Sequence, residues 1–215
     1  VKDLISQTIH FVQQQLENAE SGHDWWHVVR VHALARQFAI ELNANLIVVE
    51  LAALLHDIAD SKFHNGNEET GPALAAQFLE IQHLDSATIQ QVVYIIRHMS
   101  FKHSFSFNDT PSLEFQVVQD ADRLDAIGAI GIARAFSYGG FKQRPFFDPE
   151  IAPQHYTSTS QYSNSKAPTI NHFYEKLLLL KDLMNTGPAK KLAEKRHDYM
   201  VNFLRQFDAE WNGLC

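Results

Sequence analysis

The string LLHDIAD, residues 54 to 60, places one imidazole and two carboxylates, His56, Asp57 and Asp60, at the polar end of an otherwise apolar segment. Spacings of three and four residues gather such side chains toward one side of a helix end. Carboxylates there oppose the helix dipole, and a nearby cation relieves the conflict. The chemistry implied is metal binding or general acid–base work, the plain alternative being a solvated helix end. Upstream, SGHDWWHVVRVHAL, residues 21 to 34, sets His23, His27 and His32 beside Asp24, Trp25 and Trp26. A histidine buried among tryptophans needs a hydrogen-bond partner, a metal or a substrate. Downstream, VVQDADRLDAIGAIG, residues 117 to 131, inserts Asp120, Asp122 and Asp125 into a run of Val, Ala, Leu, Ile and Gly. At least one of these carboxylates should meet a cation, and Arg123 is the simplest candidate.

Helices must position these groups, because apolar residues recur at helical spacing along most of the chain. Residues 3–18 line one face with Leu4, Ile5, Ile9, Val12 and Leu16. A second helix starts near Ser21 or Asp24, either of which can cap it, and runs to about Leu42 with Val28, Val31, Leu34, Ala35 and Phe38 inward. LIVVELAALLHDIAD is apolar almost all round until His56, the pattern of a central buried helix. SKFHNGNEET reads as loop, GPALAAQFLEIQ as a helix with Pro72 in its first turn, and residues 86–99 as another capped by Ser86. Residues 100–112 are loop, and 113–136 read as one long helix. From Tyr138 to about Ile170 the periodicity fails, and a stretch of this length is more often a functional lid or moving segment than plain connection. Helices resume with HFYEKLLLLKDLMNT and close with GPAKKLAEKRHDYMVNFLRQFDAEW. The expected fold is an all-α, single-domain helical bundle over 1–215, with a metal core at about 20–136, a long internal loop at about 138–170 and C-terminal helices at about 171–211.

Composition narrows the function classes. The chain has 215 residues, 45% of them hydrophobic, enough for a sizeable core. A net charge of −7 disfavours a nucleic-acid groove, which needs a basic face. The single cysteine, Cys215, allows no internal disulfide and no thiolate zinc site. No apolar run reaches the roughly 18 residues of a membrane span, and the first residues lack a basic start followed by an apolar run. A cytoplasmic location is expected.

The order His, then His-Asp, then Asp on three separate helices resembles the HD-domain metal-dependent phosphohydrolases, and specifically a compact single-domain bacterial branch similar to nucleotide pyrophosphohydrolases. The resemblance extends over GHDWWHVVRV, LLHDIADSKF, DADRLDAIGAIGIARAF and HFYEKLLLLKDLMNT. It implies that His27, His56, Asp57 and Asp122 bind one divalent metal, with Asp120 competing for the last place. Trp25 and Trp26 would pack around His27 and limit water. Asp60 would orient or deprotonate the attacking water, the alternative being a helix-end residue paired with Lys62. Lys62 and His98 are expected to contact phosphate, and Arg144 to swing in with the long loop. His32 is expected to be a surface or packing residue.

The resemblance further implies hydrolysis of a (deoxy)nucleoside triphosphate to monophosphate and pyrophosphate. A nucleoside monophosphate phosphatase, a guanosine tetraphosphate hydrolase and a nucleotide-sensing module without turnover are the other readings. Manganese suits a mixed nitrogen and oxygen shell with open positions, ahead of magnesium, iron, cobalt, nickel or zinc. The expected partner is a small phosphorylated compound, without membrane or nucleic acid, and a homodimer is admissible.

Overall fold

The computed structural model describes residues 2–17, 24–59, 67, 69–99, 111–154 and 167–214. Among these residues there are nine α-helices and no strands, as an all-α fold requires. The chain forms two compact units, Val1–Ala121 and Asp122–Cys215.

In the first unit, α1 (Lys2–Gln15), α2 (Trp25–Leu42), α3 (Leu46–Leu55), α4 (Thr70–Ile81) and α5 (Ser86–His98) precede the start of α6 (Leu113–Asp125). Helix α3 is the centre: every residue from Val48 to Leu55 is buried, and α1, α2 and α5 pack around it. Burying a Leu or Val side chain contributes about 1.5–3 kcal/mol, which explains why a ten-residue helix with little polar surface stays folded in the middle of the unit. Helix α2 turns into α3 within three residues. Asn43 takes the left-handed conformation at φ 57°, and Asn45 caps α3 by accepting from the Val48 N–H. The inward face of α2 is Val28, Val31, Ala35 and Phe38 as expected, with Leu34 only half-buried. Glu114 on α6 accepts from the Asn45 N–H at 2.9 Å, and Gln119 donates to the Met99 carbonyl at 3.0 Å, which ties α6 to the α2–α3 turn and to the end of α5.

The cap of α5 differs from expectation. Asp85, not Ser86, holds the N-cap position, and its carboxylate accepts from both the Thr88 N–H and the Thr88 hydroxyl. A carboxylate reaches two donors of the first turn where a serine hydroxyl in the helix itself would reach neither.

In the second unit the expected long helix over 113–136 is two helices. Helix α6 ends at Asp125, Ile127 is extended at φ −125° and ψ 164°, and α7 spans Gly128–Phe141. Gly128 has φ +79°, and a Cβ on it would lie 3.0 Å from Cγ of Arg196. The break therefore needs glycine twice over, for its positive φ and for the arginine stem that leaves little room for a Cβ. Helix α7 also runs past Tyr138 to Phe141, so the non-helical stretch begins later than expected. Residues 142–154 lie against α8 (Thr169–Glu175) through four bonds: Thr169 N–H to Pro145, Ile170 N–H to Phe146, the Asn171 side-chain amide to Ile151, and Gln154 N–H to the Glu175 carboxylate. HFYEKLLLLKDLMNT is not one helix: Lys176 at φ −144° ends α8, and a 3-10 helix follows over Leu177–Leu183. Helix α9 (Gly187–Trp211) packs on α7, with Phe136, Phe173 and Phe203 in mutual ring contact between α7, α8 and α9.

Candidate metal centre

Two of the expected ligands lie where the α2–α3 hairpin brings opposite helix ends together. His27 is the third residue of α2. Asp24 caps that helix, and its Oδ1 accepts the His27 backbone N–H at 2.9 Å, which fixes the backbone under the imidazole. His56 caps the C-terminus of α3, and its Nδ1 lies 2.9 Å from the Ala53 carbonyl oxygen. A carbonyl only accepts, so Nδ1 carries a proton and, in the neutral ring, Nε2 is the nitrogen with the lone pair. The same bond satisfies one of the last carbonyls of α3, which lack helical partners.

The Nε2 atoms of His27 and His56 are 3.1 Å apart, their rings meet edge to face at 68°, and Asp57 Oδ2 is 3.8 Å from His27 Nε2. His27 is 1% exposed, whereas His56 and Asp57 are half-buried. These three residues offer ligand atoms within 4.8 Å of one another, a group able to hold a metal ion. Two imidazole nitrogens each about 2.0–2.1 Å from one ion lie about 2.9–3.4 Å apart for angles between square and tetrahedral, which brackets the observed separation. The donor set fits a divalent ion. Two imidazole Nε2 atoms meet 3.1 Å apart with a carboxylate beside them, and the C-terminal dipole of α3 favours positive charge at that end.

Trp26 does not pack around His27 as expected. Trp26 is 64% exposed, since its neighbour position on the helix turns it about 100° away from His27, and Trp25 is half-buried. Asp122 is half-buried and Asp120 wholly buried, both on α6. One carboxylate of this helix meets an arginine of the next. Asp125 pairs with Arg134 of α7 at 2.8 Å, while Arg123 donates to the Leu183 carbonyl and Arg196 to the Leu124 carbonyl. Asp60 and Lys62 lie outside the described residues. His98 ends α5 with its ring 4.7 Å from that of Tyr94, and Arg97 forms a forked ion pair with Glu69 that holds the Glu69 carboxyl below its ordinary range. Arg144 of the second unit lies over the Tyr138 ring at 5.7 Å.

One polar group beside the metal-bearing helices escaped the sequence reading. Glu50 sits in the middle of α3, 7% exposed, with His32 and Arg36 of α2 against its carboxylate. The signal was present: one acid in a helix apolar all round.

Comparisons with known proteins show the family of the chain. The HD domain family matches residues 25–127, a span that contains His27, His56, Asp57 and Asp122. A crystal structure of a Lactobacillus plantarum protein is 42% identical, covers 99% of each chain and superposes with a TM-score of 0.89. An HD-superfamily hydrolase from Bacillus thuringiensis is 45% identical over 98% of each chain, with a TM-score of 0.77. YpgQ of Bacillus subtilis, crystallised in complex with ADP, is 35% identical over 97% of this chain and 95% of its own, with a TM-score of 0.74. Among the described residues no helix is long and apolar enough to cross a membrane. An imidazole pair and carboxylate at the expected motif positions, the family match and relatives aligned along nearly the whole chain lead to one assignment: this chain belongs to the HD superfamily of hydrolases.

Proposed function

We propose that this hydrolase is a divalent-metal-dependent phosphohydrolase that cleaves a (deoxy)nucleoside triphosphate between its α and β phosphates, releasing a monophosphate and pyrophosphate. The observation that carries the reading is the convergence of His27, His56 and Asp57 with the imidazole Nε2 edges facing each other. The ADP bound to YpgQ supports a nucleotide as the class of ligand. Asp122 is the proposed fourth ligand, and manganese the proposed ion, because two nitrogens and two carboxylate oxygens leave positions open for water and a phosphate oxygen. When bound, such an ion polarises a phosphoryl oxygen and lowers the pKa of water.

The chain's own residues do the rest. His56 keeps Nε2 available by donating its Nδ1–H to the Ala53 carbonyl, and burial of His27 keeps bulk water from competing for its nitrogen. Asp60 takes a proton from the attacking water, and Lys62, His98 and Arg144 bind the phosphates in this reading. Asp60→Asn should keep its metal by elemental analysis and lose about 100-fold or more in turnover, since an amide cannot accept the proton.

The deciding experiment incubates manganese-loaded protein with nucleoside tri-, di- and monophosphates and guanosine tetraphosphate, and identifies the products. Monophosphate and pyrophosphate from a triphosphate are expected. Orthophosphate from a monophosphate would make the protein a nucleotide phosphatase, pyrophosphate from guanosine tetraphosphate would make it a hydrolase of that compound, and binding without release would make it a sensor.

A further inference from the structure

Glu50 is an expensive residue where it stands. Its neighbours on α3 from Val48 to Leu55 are otherwise apolar and buried, and a carboxylate removed from water costs several kcal/mol unless it is paired well. Among the described residues the pairing comes from α2: Arg36 Nε lies 3.2 Å and His32 Nε2 3.3 Å from the same oxygen, Glu50 Oε1. Neither contact is ideal for stability. Arg36 is half-exposed, and the buried His32 Nε2 approaches Glu50 off the line of a hydrogen bond. Burial lowers the His32 pKa while Glu50 pulls it back up, so the arginine is the main source of countercharge. A pair of apolar side chains would hold these helices together at least as firmly.

What an apolar pair would not do is fix the axial register. Burial of Val28, Val31 and Ala35 against α3 is non-directional, and small residues tolerate sliding. A metal tolerates only about 0.2 Å in its ligand distances. Glu50 lies six residues before His56, while His32 and Arg36 lie five and nine residues after His27. On antiparallel helices rising 1.5 Å per residue, this second rung stands about 9 Å from the imidazole pair along α3 and roughly 7–14 Å along α2. Both rungs therefore demand the same register.

We infer that Glu50, with Arg36 and His32, is a positioning clamp that locks α2 against α3 in the register at which His27 and His56 meet one ion. The inference rests on the metal reading above.

Its test uses Co2+ as probe, with calorimetry and visible absorption on the metal-free wild type, on Glu50→Gln, and on a triple variant carrying His32→Leu, Arg36→Met and Glu50→Met. Wild type that binds no Co2+ would overturn the metal reading itself. Given wild-type binding, Glu50→Gln should bind about tenfold more weakly with shifted visible bands. The triple variant should melt no earlier than wild type and still bind Co2+ about tenfold more weakly, which separates positioning from stability. If the variants that fold bind Co2+ with wild-type affinity and spectrum, whatever their melting temperatures, Glu50 is a structural residue only and the inference fails.

Discussion

Asp57 and Asp125 are carboxylates in matching situations with different neighbours. Asp57 follows the last turn of α3 and Asp125 is the last residue of α6, so each faces the negative end of a helix. Asp125, 2% exposed, has its charge met by Arg134, a cation supplied by the chain. Asp57 stands beside His27 and His56, whose Nε2 atoms lie 3.1 Å apart. A carboxylate at a helix end is thus no indicator of a metal. The identity of the group across from it decides, because arginine completes a pair whereas two imidazoles and a carboxylate complete a coordination shell only when an ion joins them.

The most severe way to break this contrast is to remove a ligand. His56→Ala or Asp57→Ala should abolish metal retention and reduce hydrolysis to background while the far-ultraviolet circular dichroism stays helical, since the remaining ligands no longer fix the ion. Normal metal content by elemental analysis in either purified variant would show that this centre is ordinary polar packing.

The second test sharpens the contrast within α6. Asp120 and Asp122 point about 160° apart on an ideal helix, so one ion cannot take both from an undistorted helix. Asp122→Ala should strip the metal, whereas Asp120→Ala, which deletes a wholly buried carboxyl, should lower the melting temperature and keep the metal. The reverse pattern would move the fourth ligand to Asp120 and turn the register of α6 by two residues.

The opposite region should respond to the opposite measurement. Arg134→Met leaves Asp125 buried without its arginine and should cost about 3 kcal/mol of stability in denaturant unfolding. Its metal content, measured in the same preparation, should be that of the parent. Metal loss there would mean that the two carboxylates are not independent.

These differences also explain what was legible in the residues. The central helix was, because a run from Leu46 to Leu55 that is apolar on every face can be stable only when surrounded. The meeting of His27 with His56 was legible through the motif order, and the end of α2 near Leu42 through the loss of its helical pattern. The break at Ile127 and Gly128 was not. The surrounding residues suit a helix, while the φ of +79° at Gly128 and the stem of Arg196 lying on it, about seventy residues away in sequence, show only in the fold. The pairing of Asp125 with Arg134 was not legible either, because the two lie on helices that the break at Gly128 separates and only the fold brings them to 2.8 Å. Local pattern reports periodicity and caps, and tertiary contacts choose among the partners it offers.

The smallest effect, and the finest test of the comparison, concerns two aspartates that do the same local work. Asp24 and Asp85 are both extended N-cap residues, and each accepts the backbone N–H of the third helical residue, His27 at 2.9 Å and Thr88 at 3.0 Å. Only the first of these third residues is a proposed ligand. Asp24→Ala should cost about 1 kcal/mol of stability and weaken metal binding a few-fold, because the freed backbone lets the imidazole wander. Asp85→Ala should lower the melting temperature at neutral pH and leave metal binding unchanged. The Thr88 N–H and hydroxyl hold the Asp85 carboxyl below its ordinary value of 3.8. Its contribution is therefore complete above that value and fades as pH falls through the lower, folded-state one, so parent and Asp85→Ala should melt together only in strong acid. Equal metal affinities in the two cap variants would show that the hold of Asp24 on the His27 backbone matters to the helix and not to the ion.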